Sequence, residues 1–136
     1  MTRIYLAHSG KEDIRKKVKE IQNILEEYTN IFVVNPFDSG AESKALTHLW
    51  DEHPKCRDSE LCEAIVKKDL QNIEDCDILI AYIEEPSFGT SMEIFFSSKV
   101  LGRKIYIITE CESPWLEVHG IIVKNIEQLL EVLELK

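Results

Sequence analysis

Three side chains in this sequence are best suited to chemistry, and they stand far apart along the chain: Glu93, Asp69 and Tyr5. Glu93 ends the run Pro86-Ser87-Phe88-Gly89-Thr90-Ser91-Met92-Glu93. Before that run lies the short, continuously apolar segment 77–83, which reads as a buried parallel strand. After it the pattern is helical to Leu101 and stops at Gly102, a good C-terminal breaker. A strand, a glycine loop and a helix N-terminus together form the place where open α/β sheets bind ligands. The spacing predicts Glu93 in the first helical turn, where backbone amides favour negative charge. It would then be ionised at neutral pH and a candidate nucleophile. Thr90-Ser91-Met92-Glu93 also fits a capping box, in which Glu93 reaches back to the amide of Thr90. Spacing alone does not separate the two roles.

Asp69 interrupts an otherwise apolar stripe. Cys62, Val66, Asp69 and Ile73 fall at helical spacings of four, three and four, which predicts an inward-facing carboxylate. Such a group is costly to bury unless it is paired or faces a polar cavity; the alternative is an edge-of-stripe aspartate bonded to solvent or a loop. Tyr5 lies on the first strand, with Ile4 and Leu6 on the opposite sheet face, either packing with its hydroxyl at the rim or serving a site. His8-Ser9-Gly10 follows that strand, and its amides could hold a phosphate or a ribose hydroxyl or simply turn the chain. Ser87 offers a hydroxyl and an amide towards the same crevice, and is equally a turn residue after Pro86.

The elements that must position these groups alternate. Strands are predicted over 3–7, 31–34, 77–83, 104–109 and 120–123, and helices over 11–28, over 59–74 (opened by Asp58 or Ser59), after the glycine loop through Leu101, and from Asn125 to Leu135. Ile14, Val18, Ile21, Leu25 and Tyr28 form the core stripe of the first helix. Residues 36–57 are the least regular stretch, with one helical turn near Leu46–Trp50, and Trp115 falls in a loop. Trp50 and Trp115 read as packing residues or as platforms for a base. Strand–helix alternation gives an α/β fold with a parallel sheet of about five strands, and no repeat or linker divides residues 1–136, so one domain is expected. The carboxyl ends of strands one and three share an edge. Tyr5 or His8, Ser87 and Glu93 would therefore line one crevice, which Asp69 reaches only if its helix crosses beneath. Such a set supports substitution at an acetal-like carbon through an oxocarbenium-like state, with a carboxylate forming an ester that a second nucleophile displaces.

Composition bounds the alternatives. With 136 residues, 44% hydrophobic and 30% charged, the chain has the make-up of a soluble globular protein. A formal net charge of −9 argues against a nucleic-acid polymer as partner. Cysteines 56, 62, 76 and 111 show no zinc spacing, and a metal cluster with His48 and His53 is disfavoured. No signal-like or membrane-length apolar run is present, so a cytoplasmic protein without a membrane partner is expected.

The chain resembles the nucleoside 2-deoxyribosyltransferase family, which includes 2′-deoxynucleoside 5′-phosphate N-hydrolases. The resemblance rests on Ile4-Tyr5-Leu6-Ala7, on Lys68-Asp69-Leu70-Gln71-Asn72-Ile73 followed by Asp75-Cys76-Asp77-Ile78, and on Pro86 to Ile94 before Leu101-Gly102-Arg103-Lys104. It implies a three-layer α/β sandwich of the flavodoxin/Rossmann-like kind. It also implies that Glu93 attacks C1′ of the sugar, that Tyr5 orients it, and that Asp69 contacts the sugar or helps protonate the departing base. His8, Ser9, Gly10, Ser87 and Gly89 would bind the nucleoside or nucleotide. No cofactor and no metal are implied; a homodimer or higher homo-oligomer is. Ser87 stands where the family's transferases carry an acidic residue, six positions before the nucleophile, and in this it is like the monophosphate hydrolases. The loop His8-Ser9-Gly10-Lys11 lacks the glycine- and arginine-rich phosphate loop of those hydrolases. Phe95-Phe96-Ser97 replaces the family's usual glycine, aromatic and alanine. The competing reading is a non-catalytic nucleotide-binding or sensor module on the same fold.

Overall fold

The computed structural model describes residues 1–38 and 59–135. Five parallel strands form one sheet: β1 (Thr2–Ala7), β2 (Ile31–Val34), β3 (Ile78–Ile83), β4 (Lys104–Thr109) and β5 (Ile121–Val123), in the order β2-β1-β3-β4-β5. The helices are α1 (Glu12–Glu26), α2 (Ser59–Glu74), α3 (Phe88–Phe95), α4 (Pro114–Glu117) and α5 (Ile126–Val132). A π-helical turn over Phe96–Val100 extends α3, with the amide of Leu101 donating to the Phe96 carbonyl, and the chain leaves it through Gly102 at φ +65°. That left-handed position is one only glycine adopts without strain.

Strand periodicity divides the interior into two layers. Ile4, Leu6, Ile80, Tyr106 and Ile108 meet Ile14, Val18, Ile21 and Leu25 of α1 and Leu129 of α5 on one face. Tyr5, Ala7, Leu79, Ala81, Ile105 and Ile107 meet Ile73 of α2 and Ile94 of α3 on the other. Each fully buried aliphatic side chain contributes about 1.5–3 kcal/mol, so neither layer is dispensable. The result is the three-layer α/β sandwich expected from the alternation of elements.

Four local expectations change. Helix α3 begins at Phe88 with Ser87 in the capping position, one turn before a Thr90 cap would start it. The extended backbone of Ser87, at φ −139° and ψ 146°, hands the chain directly into helix. Glu93 therefore sits in the second turn, beyond the free amides, and is neither in the first turn nor part of a capping box. On α2, Ile73 is buried but Val66 is 54% exposed, because the stripe rotates away from the sheet towards the crevice. Trp115 lies on the single-turn helix α4, capped by the Ser113 hydroxyl, and is 75% exposed, so it is not a packing residue. Helix α5 ends at Val132, with the Asn125 side chain accepting from the amide of Gln128 as its cap. The expectations for Leu46–Trp50, His48, His53, Cys56 and Asp58 lie outside the described residues. Among the described residues no helix is long and apolar enough to cross a membrane, and no group of three or more His, Cys, Asp or Glu could hold a metal ion.

Candidate active site

In a 2-1-3-4-5 sheet the chain leaves β1 towards one edge and β3 towards the other, and the loops after them part at that point. A crevice opens there. The β1 loop contributes His8, Ser9 and Gly10; the β2 loop Pro36 and Phe37; α2 Ile65, Val66, Asp69 and Leu70; and the β3 loop with α3 contributes Ser87, Gly89, Thr90, Met92 and Glu93. Seven of the eight residues singled out from the sequence thus line one cavity. Asp69 reaches it because α2 crosses beneath the mouth.

Tyr5, the eighth, does not line the crevice. It pairs with Leu79 in register and is completely buried. Its hydroxyl donates a hydrogen bond to Oε2 of Glu93. Parity on the strand explains this: Tyr5 points into the α2/α3 layer, directly under the helix that carries Glu93. Tyr5 therefore meets the crevice only through the carboxyl group above it. Burial, reinforced by the charges of Glu93 and Asp69, holds its own pKa well above the usual tyrosine value.

The electrostatics of the two carboxyl groups differ from the reading of Glu93 as ionised. Burial pushes Glu93 up to about 8; the Tyr5 hydrogen bond pulls it down and the nearby Asp69 charge raises it further. Burial likewise raises Asp69 to about 6, against a small lowering by Lys68. Glu93 thus holds its proton at neutral pH while Asp69 is largely charged. Desolvation outweighs a helix end whose free amides lie a turn away.

The two loops at the mouth are tied together by side chains that sequence reading passed over. The Asn35 Oδ1 accepts from the Phe37 amide at 3.0 Å and lies 2.9 Å from His8 Nε2, while its Nδ2 donates to Gln22 Oε1 at 3.1 Å. The Phe37 amide fixes which end of Asn35 is the acceptor, so His8 Nε2 is the donor. His8 Nδ1 lies 3.0 Å from the carbonyl of Ser9, and the ring tilts over Phe37 with centroids 4.9 Å apart. Burial lowers the His8 pKa and its hydrogen bonds raise it. With the single N–H of the neutral ring given to Asn35, Nδ1 has no proton for the Ser9 carbonyl, and His8 lines the crevice without a free donor. The alternation of Asn35-Pro36 with a buried Gln22 on α1 was the available signal for this link.

The Ser87 carbonyl accepts from the amide and, at 2.8 Å, the hydroxyl of Ser91, and the Ser87 hydroxyl makes no capping bond. A Cβ added at Gly89 would meet nothing within 4 Å. The hydroxyls of Ser9 and Thr90 are buried without a hydrogen-bond partner among the described residues. Thr90 was read only as a cap from sequence; it lies on the wall of the crevice one turn before Glu93.

No protein-family model and no curated protein sequence matches the chain. Among solved structures it is similar to a 2-deoxyribosyltransferase from the psychrotolerant bacterium Bacillus psychrosaccharolyticus, at 19% identity and a TM-score of 0.69, with 94% of this chain and 90% of that chain covered. It is also similar to the Clostridium botulinum CMP N-glycosidase BcmB, at 24% identity and a TM-score of 0.60, with 98% of each chain covered. At these identities the likeness is one of fold. This chain shares, over nearly its whole length, the α/β architecture of a 2-deoxyribosyltransferase and of a nucleotide N-glycosidase.

Proposed function

We propose that this protein cleaves the N-glycosidic bond of a 2′-deoxynucleoside or its 5′-monophosphate, with Glu93 as nucleophile. The observation that carries the reading is the Tyr5 hydroxyl bonded to Glu93 at the wall of a crevice that also holds Asp69, at the switch point of the sheet. The family resemblance and the fold likeness support the same substrate class.

The pair of carboxyl groups shares about one proton at neutral pH. Moving it from Glu93 to Asp69 creates a carboxylate facing the anomeric carbon and an acid for the departing base. The two values, about 8 and about 6, differ by about 2, so this transfer is uphill by about 3 kcal/mol, small beside a glycosidic barrier. A Glu93 oxygen then bonds to C1′ as the C1′–N bond breaks, and the electron pair leaves on the base, which takes the proton from Asp69. Asp69, now ionised, accepts a proton from the second nucleophile as that nucleophile attacks C1′ and releases Glu93. Tyr5 holds the Glu93 oxygen that does not attack. No step draws on a cofactor. The exposed rings of Phe88, Phe95 and Trp115, with Met92, form an apolar face beside the crevice that a second copy of the chain would cover in the homo-oligomer.

The test is incubation with deoxynucleosides and their 5′-monophosphates, with and without a second free base, followed by chromatography. Free base is expected without acceptor if water completes the reaction, and a new nucleoside with acceptor if a base does. No release of base from any substrate would overturn the proposal.

A further inference from the structure

Thr90 is 3% exposed, yet among the described residues its hydroxyl has no hydrogen-bond partner. A buried hydroxyl ordinarily finds one, and a helical threonine has the carbonyl one turn back within reach. Here the residue lines the crevice, its hydroxyl buried behind the surface, at the uncapped start of α3 and three residues before Glu93. Residues three apart share a helix face with Cβ atoms about 5–6 Å apart. A group bound to Thr90 therefore lies within a few bonds of the atom Glu93 reaches. The described lining residues include two carboxyl groups and no lysine or arginine, so an anion would be repelled deep in the cavity. A neutral group that can both donate and accept suits a threonine hydroxyl.

We propose that Thr90 is a substrate-binding residue whose hydroxyl hydrogen-bonds the sugar hydroxyl that lies nearest the carbon Glu93 attacks. The inference rests on the glycosidic reading above and adds to it the group that fixes the sugar. Removing that hydroxyl from the protein would leave the sugar's partner atom buried and unpaired in the complex, whereas the free protein loses nothing.

Thr90→Val keeps the shape and deletes the hydroxyl, and Thr90→Ser keeps the hydroxyl. The expected result for Thr90→Val is a melting temperature equal to or above the parent's and a kcat/KM lower by about 10–100-fold. Thr90→Ser should stay within about three-fold of the parent, since its hydroxyl can make the same bond. Ribonucleosides, 2′-deoxynucleosides and 2′,3′-dideoxynucleosides, assayed side by side, identify the sugar hydroxyl: parent and Thr90→Val turn over equally the analogue that lacks it. Equal kcat/KM for parent and Thr90→Val on every analogue overturns the proposal. So does a lower melting temperature for Thr90→Val that accounts for the lost activity, because the hydroxyl would then serve the fold. Should the parent cleave none of them, the glycosidic reading fails. Thr90 is then judged alone by the rise in melting temperature that the same nucleosides produce: a rise lost in Thr90→Val and kept in Thr90→Ser upholds it, and equal rises or none in the parent overturn it.

Discussion

Two tyrosine–glutamate pairs in this molecule have the same local chemistry and opposite electrostatics. In each, a strand tyrosine donates its hydroxyl to a glutamate: Tyr5 to Glu93 and Tyr82 to Glu84. Glu84 lies at the open end of β3, where the Lys17 ammonium bonds it at 2.6 Å, and that bond, with the one from Tyr82, lowers its pKa. Glu93 has a phenolic partner too but no cation among the described residues; burial and the Asp69 charge take it to about 8. The hydrogen bond is common to both, so surroundings decide the charge. A buried glutamate with a second carboxyl group in the same cavity is poised to exchange a proton; one beside a lysine in water is a surface ion pair worth little.

Substitution separates the two pairs most sharply. Glu93→Gln should lower glycosidic turnover at least about a thousand-fold, because an amide at that position cannot form the sugar ester. Glu84→Gln should leave turnover unchanged. Release of base from a deoxynucleoside, followed by chromatography, checks both; comparable losses in the two variants would erase the distinction. Next in size is the tyrosine that orients each acid. Tyr5→Phe should reduce kcat about 10–100-fold, the worth of a hydrogen bond to a charged group, and move the pH at which Glu93 titrates upwards. Tyr82→Phe should do neither.

Acidity offers a third comparison. If the singly protonated pair is the working form, kcat/KM should rise with pH through about 6 and fall through about 8. Asp69→Asn should abolish the lower limb, and a profile flat from pH 5 to 9 would remove the proton-sharing argument. The smallest effect is on stability. Glu93 binds its proton more tightly folded than unfolded, so its contribution is complete below the ordinary value of 4.5 and is lost as pH rises to about 8. Glu93→Gln should therefore match the parent in urea unfolding near pH 4 and exceed it by a few kcal/mol above pH 8. Glu84 has the opposite sign, favouring the fold above its ordinary value and ceasing to as pH falls.

Much of the architecture was legible in local pattern. The apolar run Ile78–Ile83 could only be a strand covered on both faces, and Ile14, Val18, Ile21 and Leu25 could only be one face of a helix. The alternation of Tyr5 with Ile4 and Leu6 put the phenol in the layer opposite α1. The convergence of Glu93, Ser87 and the His8 loop followed from parallel strands sharing their carboxyl ends. The apolar pattern of α2 was less faithful: Val66 looked like core and proved exposed at the mouth.

What the chain by itself determined was the order of elements and the side of the sheet each residue faces, because periods of two and 3.6 are properties of neighbouring residues. The protonation of Glu93, the reach of Asp69 into its cavity and the unpartnered hydroxyl of Thr90 were decided by the tertiary structure. Desolvation is a sum over atoms contributed by strands and helices dozens of residues apart, and no spacing within one segment records it.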